Sequence, residues 1–132
     1  MSKPGELNQY IKGGQALVWP KKYAVVKSEE PVQDCFAVVQ DQTEITLVLE
    51  EENLDNVPVI EVEKGWRIIT FDMVLPFGVV GFLAHITQAL AKARLPIFTL
   101  SAYSTDHILV KEENLVRASQ VLESLGLIVD EL

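Results

Sequence analysis

Residues 66–115 read WRIITFDMVLPFGVVGFLAHITQALAKARLPIFTLSAYSTDHILVKEENL, and the order of patterns in this stretch decides the fold. WRIITFDMVL (66–75) is apolar and rich in branched and aromatic residues, which reads as a strand. After Pro76 the period changes. Val79, Leu83, Ile86, Leu90 and Ala93 recur at spacings of four, three, four and three. That is one face of a helix, expected over 78–94 and stopped by Pro96. IFTLSAYS is a second strand, and HILVKE a third after a tight turn at Ser104-Thr105-Asp106.

Working outward, Asn114 can cap a second helix over 114–125, with Leu115, Ala118, Val121, Leu122 and Leu125 as its apolar stripe. Gly126 closes it, and LIVDEL is a short last strand. The order βαββαβ belongs to the ferredoxin-like class of α+β folds, a four-stranded antiparallel sheet with two helices on one face.

The first half becomes legible when laid on the second. EITLVLEEENL ends at Leu54 and DHILVKEENL at Leu115, so Glu-Glu-Asn-Leu recurs 61 positions on, each time after an apolar strand. FAVVQ from Phe36 matches FTLSA from Phe98, and YAVVKS from Tyr23 matches WRIITF from Trp66. This is the signature of an internal repeat. The copies are unequal: Tyr23 to Phe36 spans 13 positions, Trp66 to Phe98 spans 32. The first copy has room only for a turn at EEPVQD, and DNVPV leaves about one turn of the second helix before the strand VIEV. Two ferredoxin-like units with antiparallel sheets are therefore expected, 1–62 with reduced helices and 63–132 complete. The sheet face those lost helices would cover must be buried by another element.

The chain of 132 residues is 48% hydrophobic and 23% charged, which suits a packed core. Its net charge is −8 and its pI near 4.7. Phosphate backbones and anionic membranes call for a basic surface, so nucleic acid and membrane are not expected partners. A zwitterionic or cationic small molecule remains compatible. Cys35 is the sole cysteine, too few for a disulfide framework or a zinc cluster. His85 and His107 lack Cys, Asp or Glu at ligand spacing, so neither metal nor cofactor is expected. The N-terminus lacks an apolar signal core and no stretch reaches the length of a membrane span, giving a cytoplasmic expectation. No acid, base and nucleophile stand at catalytic spacing, so an enzyme is not expected.

One local feature asks for an explanation. Gly78 and Gly81 fall where the long helix should begin, and no Ser, Thr, Asp or Asn stands just before them. Each glycine weakens a helix by about 1 kcal/mol, and a missing cap forgoes a similar amount. Either the glycines let the helix pack closely on the sheet, or they leave the helix start open to a ligand. The G-V-V-G spacing also matches the GxxG loop of KH domains, but the loop lacks Lys or Arg and the chain is acidic.

FDMVLPFGVVGFLAHITQALAKARLPIFTLSAYSTDHILVKEENLVRA (71–118) resembles an ACT domain, the small regulatory module that binds amino acids. The likeness covers residues 20–132, and is nearest to tandem ACT proteins of the aspartate-kinase regulatory lineage and the cytosolic arginine sensors. It departs from the family pattern at Leu75-Pro76-Phe77, where many ACT domains carry an acidic or amide residue. The resemblance implies a small molecule lying against the strand-to-helix loop between two units. Phe77, Gly78, Val79, Val80 and Gly81 would then present main-chain N–H groups to a carboxylate, since a helix N-terminus carries free donors and partial positive charge. The backbone of Phe98, Thr99 and Leu100 and the side chain of Asp106 would meet the amine. The expected protein is a non-catalytic amino-acid-binding regulator, the alternative being a protein–protein interaction or assembly module without a ligand, and it is expected to form a homodimer.

Overall fold

The structure, a computed structural model, describes residues 4–73, 75 and 80–132, with side chains from residue 7 onward. The chain divides into two compact units, Met1–Pro20 with Ile68–Leu132, and Lys21–Arg67.

The larger unit contains α1 (Pro4–Ile11), β1 (Gln15–Val18), the end of β5 (Val59–Asp72), α2 (Phe82–Lys92), β6 (Ile97–Ser101), β7 (Asp106–Lys111), α3 (Leu115–Ser124) and β8 (Ile128–Glu131). From β5 onward this is the expected βαββαβ order. The strands line up as β6–β7–β5–β1–β8. Here the expectation of a purely antiparallel sheet is corrected. β1 occupies the place beside β5 that the four-stranded pattern gives to β8. It pairs antiparallel with β5 (Ala16↔Phe71, Val18↔Ile69) and parallel with β8 (Ala16↔Val129, Val18↔Glu131), so the sheet is mixed. The reason lies in β1's alternation: Ala16 and Val18 are buried, Leu17 is half-buried and Gln15 exposed. The junction is sealed by main-chain bonds, Gly13 N–H to the Gly126 carbonyl and Ile128 N–H to that of Gly14, both 2.8 Å.

α2 and α3 bring Phe82, Ile86, Leu90, Ala118 and Leu122 into one core with Ala16, Val18, Ile69, Phe71, Ile108 and Val110. Ile11 of α1 joins them, 2% exposed. Both helices end alike. Arg94 N–H donates to the Ala91 carbonyl and Leu95 N–H to that of Leu90, while Gly126 N–H donates to Glu123 and Leu127 N–H to Leu122. This is the Schellman pattern, and each apolar residue after the turn joins the core. The helices are shorter than their expected spans, and Gly81 precedes the first turn of α2 rather than lying in it.

The smaller unit contains β2 (Tyr23–Ser28), β3 (Ala37–Gln40), β4 (Ile45–Glu50) and the beginning of β5. Its strands run β3–β4–β2–β5 with antiparallel neighbours. The first strand thus lies between the third and fourth, as in a ferredoxin-like unit. The segment 29–36 has no helix, and a six-residue 3-10 turn, Glu51–Asn56, stands for the second. These remnants close the sheet face: Val32, Cys35, Leu54 and Val57 pack on Ala24, Val26, Leu47 and Leu49.

The repeated tetrapeptide takes the same backbone twice. Each copy opens a 3-10 turn, with Asn53 at φ −104°, ψ 17° and Asn114 at φ −101°, ψ 0°. The copies diverge afterwards. LVRASQVLES continues as α3, whereas Asp55, Asn56 and Pro58 are poor helix formers, and Pro58 disfavours helical Val57. Asn114 stands at the N-cap position, but its side chain makes no capping bond, which corrects the role expected of it. VIEV and WRIITFD, read as two strands, form one. The register passes from Val25↔Glu63 to Tyr23↔Trp66, so β5 carries one extra residue. Gly65 takes the positive φ of +83° that such a bulge uses, and its N–H donates to Glu51 Oε2.

Candidate functional site

The start of α2 explains its glycine. Gly81 is the N-cap residue at φ +89°, ψ 10°, a left-handed conformation that costs an L-residue about 1–2 kcal/mol. A Cβ built there would meet nothing within 4 Å. Close packing on the sheet therefore does not account for Gly81; its dihedral does, and the space beside it is open. No side chain caps the helix. The Gly81 carbonyl accepts the His85 N–H at 2.9 Å, which begins the helical ladder. Phe82 next to it is anchored edge-on against Phe71, ring centroids 5.3 Å apart. The first-turn N–H groups of Phe82, Leu83 and Ala84 precede that ladder and have no acceptor within the helix.

Facing this helix start is the β6–β7 hairpin. Its closing pair is Ser101↔Asp106, and Ala102 N–H donates to the Thr105 carbonyl at 2.8 Å across the turn. Ser101 Oγ donates to Asp106 Oδ1 at 2.6 Å. Between the two walls lies an open cleft of about 420 Å³, bounded by Leu75, by Gly81 to Ala84 and by Ser101 to Asp106. Tyr103 stands at the rim, 83% exposed. Asp106 is the one carboxylic acid side chain among these described lining residues.

Of the expected site residues, Gly81 and Asp106 line this cleft together. Val80 is exposed just before it. Phe98, Thr99 and Leu100 lie on β6, opposite Leu109, Ile108 and His107, and are not among the lining residues. Phe77, Gly78 and Val79 lie outside the described residues. Sequence reasoning missed Ser101 and Tyr103. The signal for Ser101 was present: a four-residue turn at Ala102–Thr105 puts positions 101 and 106 opposite each other in an antiparallel hairpin.

His107 lies in a polar chain that meets the cleft lining at Thr105, whose Oγ1 is 3.4 Å from His107 Nε2. Trp19 Nε1–H donates to Thr70 Oγ1 at 2.8 Å, and Thr70 Oγ1 lies 2.8 Å from His107 Nδ1. Burial pushes the His107 pKa below its ordinary 6.5, against the opposing pull of Asp106. Cys35 is half-buried, and burial, with the charge of Asp34, raises its pKa, the reverse of what activates a thiolate. Among the described residues no three His, Cys, Asp or Glu gather as a metal site, and no helix is long and apolar enough to cross a membrane.

Residues 61–124 match the profile of the ACT domain family. No curated protein sequence matches the chain. The fold is shared with several solved structures at low sequence identity. A protein from Agobacterium tumefaciens is 19% identical with a TM-score of 0.77, the match covering 91% of this chain and 94% of that one. A Vibrio cholerae protein of unknown function, described as a possible transport protein, is 20% identical with a TM-score of 0.73, covering 92% and 96%. The ligand-free regulatory subunit of aspartate kinase from Thermus thermophilus is 10% identical with a TM-score of 0.62, covering 87% and 97%. The chain thus has the fold of an aspartate kinase regulatory subunit and, over residues 61–124, is similar to the ACT domain family.

Proposed function

We propose that this chain is a non-catalytic regulatory protein that binds an amino acid in the cleft between the start of α2 and the β6–β7 hairpin. The carrying observation is the placement of an uncapped helix start and Asp106 on opposite walls of one cleft. The first-turn N–H groups of α2 and the positive end of its dipole suit the ligand carboxylate. Asp106 suits the ammonium group. In this reading the preceding residues Phe77 to Val80 and the backbone of Phe98 to Leu100 complete the binding surface. The sequence halves 1–62 and 63–132 are two ACT-like copies, the first pared down, and the working form is a cytoplasmic homodimer. Binding would signal to a partner protein rather than drive chemistry in this chain.

Thermal denaturation of the full chain with each of the twenty amino acids tests the reading. A ligand at a hundred times its Kd adds about 2.7 kcal/mol of stability, so the binder raises Tm by several degrees. If none raises Tm while light scattering shows a dimer, the chain is an assembly module without a ligand.

A further inference from the structure

The charged side chains of the described cleft lining are of one sign. Asp106 is the acidic side chain of the lining, and no Lys, Arg or His stands among the described lining residues. The strand-to-helix connection brings none either, because residues 73–84, MVLPFGVVGFLA, contain no ionisable side chain. Ser101 does not offset this bias. A serine has a single O–H, and that hydrogen is directed to Asp106 Oδ1 at 2.6 Å. The lone pairs of Ser101 Oγ are left for a donor. The hairpin end therefore offers acceptors, a carboxylate and a hydroxyl oxygen held in fixed relation by the cross-strand pair. An ammonium group, with three N–H donors and a positive charge, matches such a wall.

We propose that the cleft selects its ligand by charge, taking an ammonium on Asp106 and Ser101 and rejecting acidic amino acids; this rests on the reading of the cleft as an amino-acid site. The α-carboxylate of any amino acid can be met by the main-chain donors at the start of α2. A second carboxylate finds no cationic side chain on the described lining and meets Asp106. The net charge of −8 on the whole chain adds repulsion of the same sign. Uncharged and basic amino acids escape this penalty. Ser101 acts as a positioning residue: its hydrogen bond fixes the rotamer of Asp106, so that the carboxylate is set before the ligand arrives.

Calorimetric titration of the full chain tests this with two near-isosteric pairs, asparagine against aspartate and glutamine against glutamate, beside the remaining amino acids. Both acids are expected to bind at least about tenfold more weakly than the tightest uncharged amino acid, a gap that salt narrows. Asp106→Asn should weaken the uncharged ligand and close most of the gap. Ser101→Ala should weaken the uncharged ligand, with Ser101→Thr restoring it, a rescue that loss of folding would not show. An acid that binds as tightly as its amide, or a gap that survives Asp106→Asn at full size, overturns the inference while leaving the amino-acid reading intact. Silence from all twenty amino acids contradicts the reading and the inference together.

Discussion

Two positive-φ residues show how much a single position decides. Gly81 holds φ +89° with open space around its missing Cβ. Gly81→Ala should cost about 1–2 kcal/mol in urea denaturation although the new methyl meets no atom, because the penalty is in the backbone. A variant of unchanged stability would mean that this dihedral is not held. Arg94 sits at φ +62° after α2, where α3 places Gly126 at φ +105°. Arg94→Gly should relieve the left-handed strain and raise Tm by a few degrees, by about 1 kcal/mol less the extra entropy of a glycine. His107 gives a pH prediction. Its folded pKa lies below 6.5, so in the window between the two values the unfolded chain binds the proton and the folded chain does not. Its contribution is complete above pH 6.5 and is lost as pH falls toward the folded value. His107→Gln should flatten the decline of the urea midpoint in that window. These features were only partly legible. Sequence could flag Gly81 as odd at a helix start, but a dihedral cannot be read from residue type. The polar chain at His107 runs through Thr70, 37 positions from it, to Trp19, 51 positions from Thr70, and no local pattern records it.

At the scale of elements, periodicity carried the reading wherever a segment was long. α2, α3, β6 and β7 follow from the spacing of Ile86, Leu90, Ala118 and Leu122 and from the turn near Thr105. β1 did not. QALV offers four residues of weak alternation, and its insertion between β5 and β8 is a matter of pairing, which no local pattern records. The merger of two expected strands into β5 was hidden for a related reason, since a bulge at Gly65 looks like a break. The inserted segment should matter energetically. Ile11, 2% exposed, lies in the same core cluster as Leu122 and Leu127. Ile11→Ala should cost about 2–5 kcal/mol in equilibrium denaturation, the usual range for emptying a buried site. A cost below 1 kcal/mol would show that the N-terminal segment is not part of the core.

Over the whole molecule, the recurrence of Glu-Glu-Asn-Leu was the informative signal, and the similar dihedrals of Asn53 and Asn114 show that the likeness extends to backbone geometry at that position. Composition argued against nucleic acid and anionic membranes as partners but could not locate the cleft, because its two walls come from segments about twenty residues apart that only the fold brings face to face. A ligand bound in this cleft would perturb the main chain of both its walls. Amide chemical-shift mapping of the full chain, titrated with the uncharged amino acid that most raises its Tm, tests this most directly. The largest shifts are expected at Gly81 to Ala84 and at Ser101 to Asp106. Shifts confined to Tyr23–Glu50, or a spectrum unmoved by every amino acid, would contradict it.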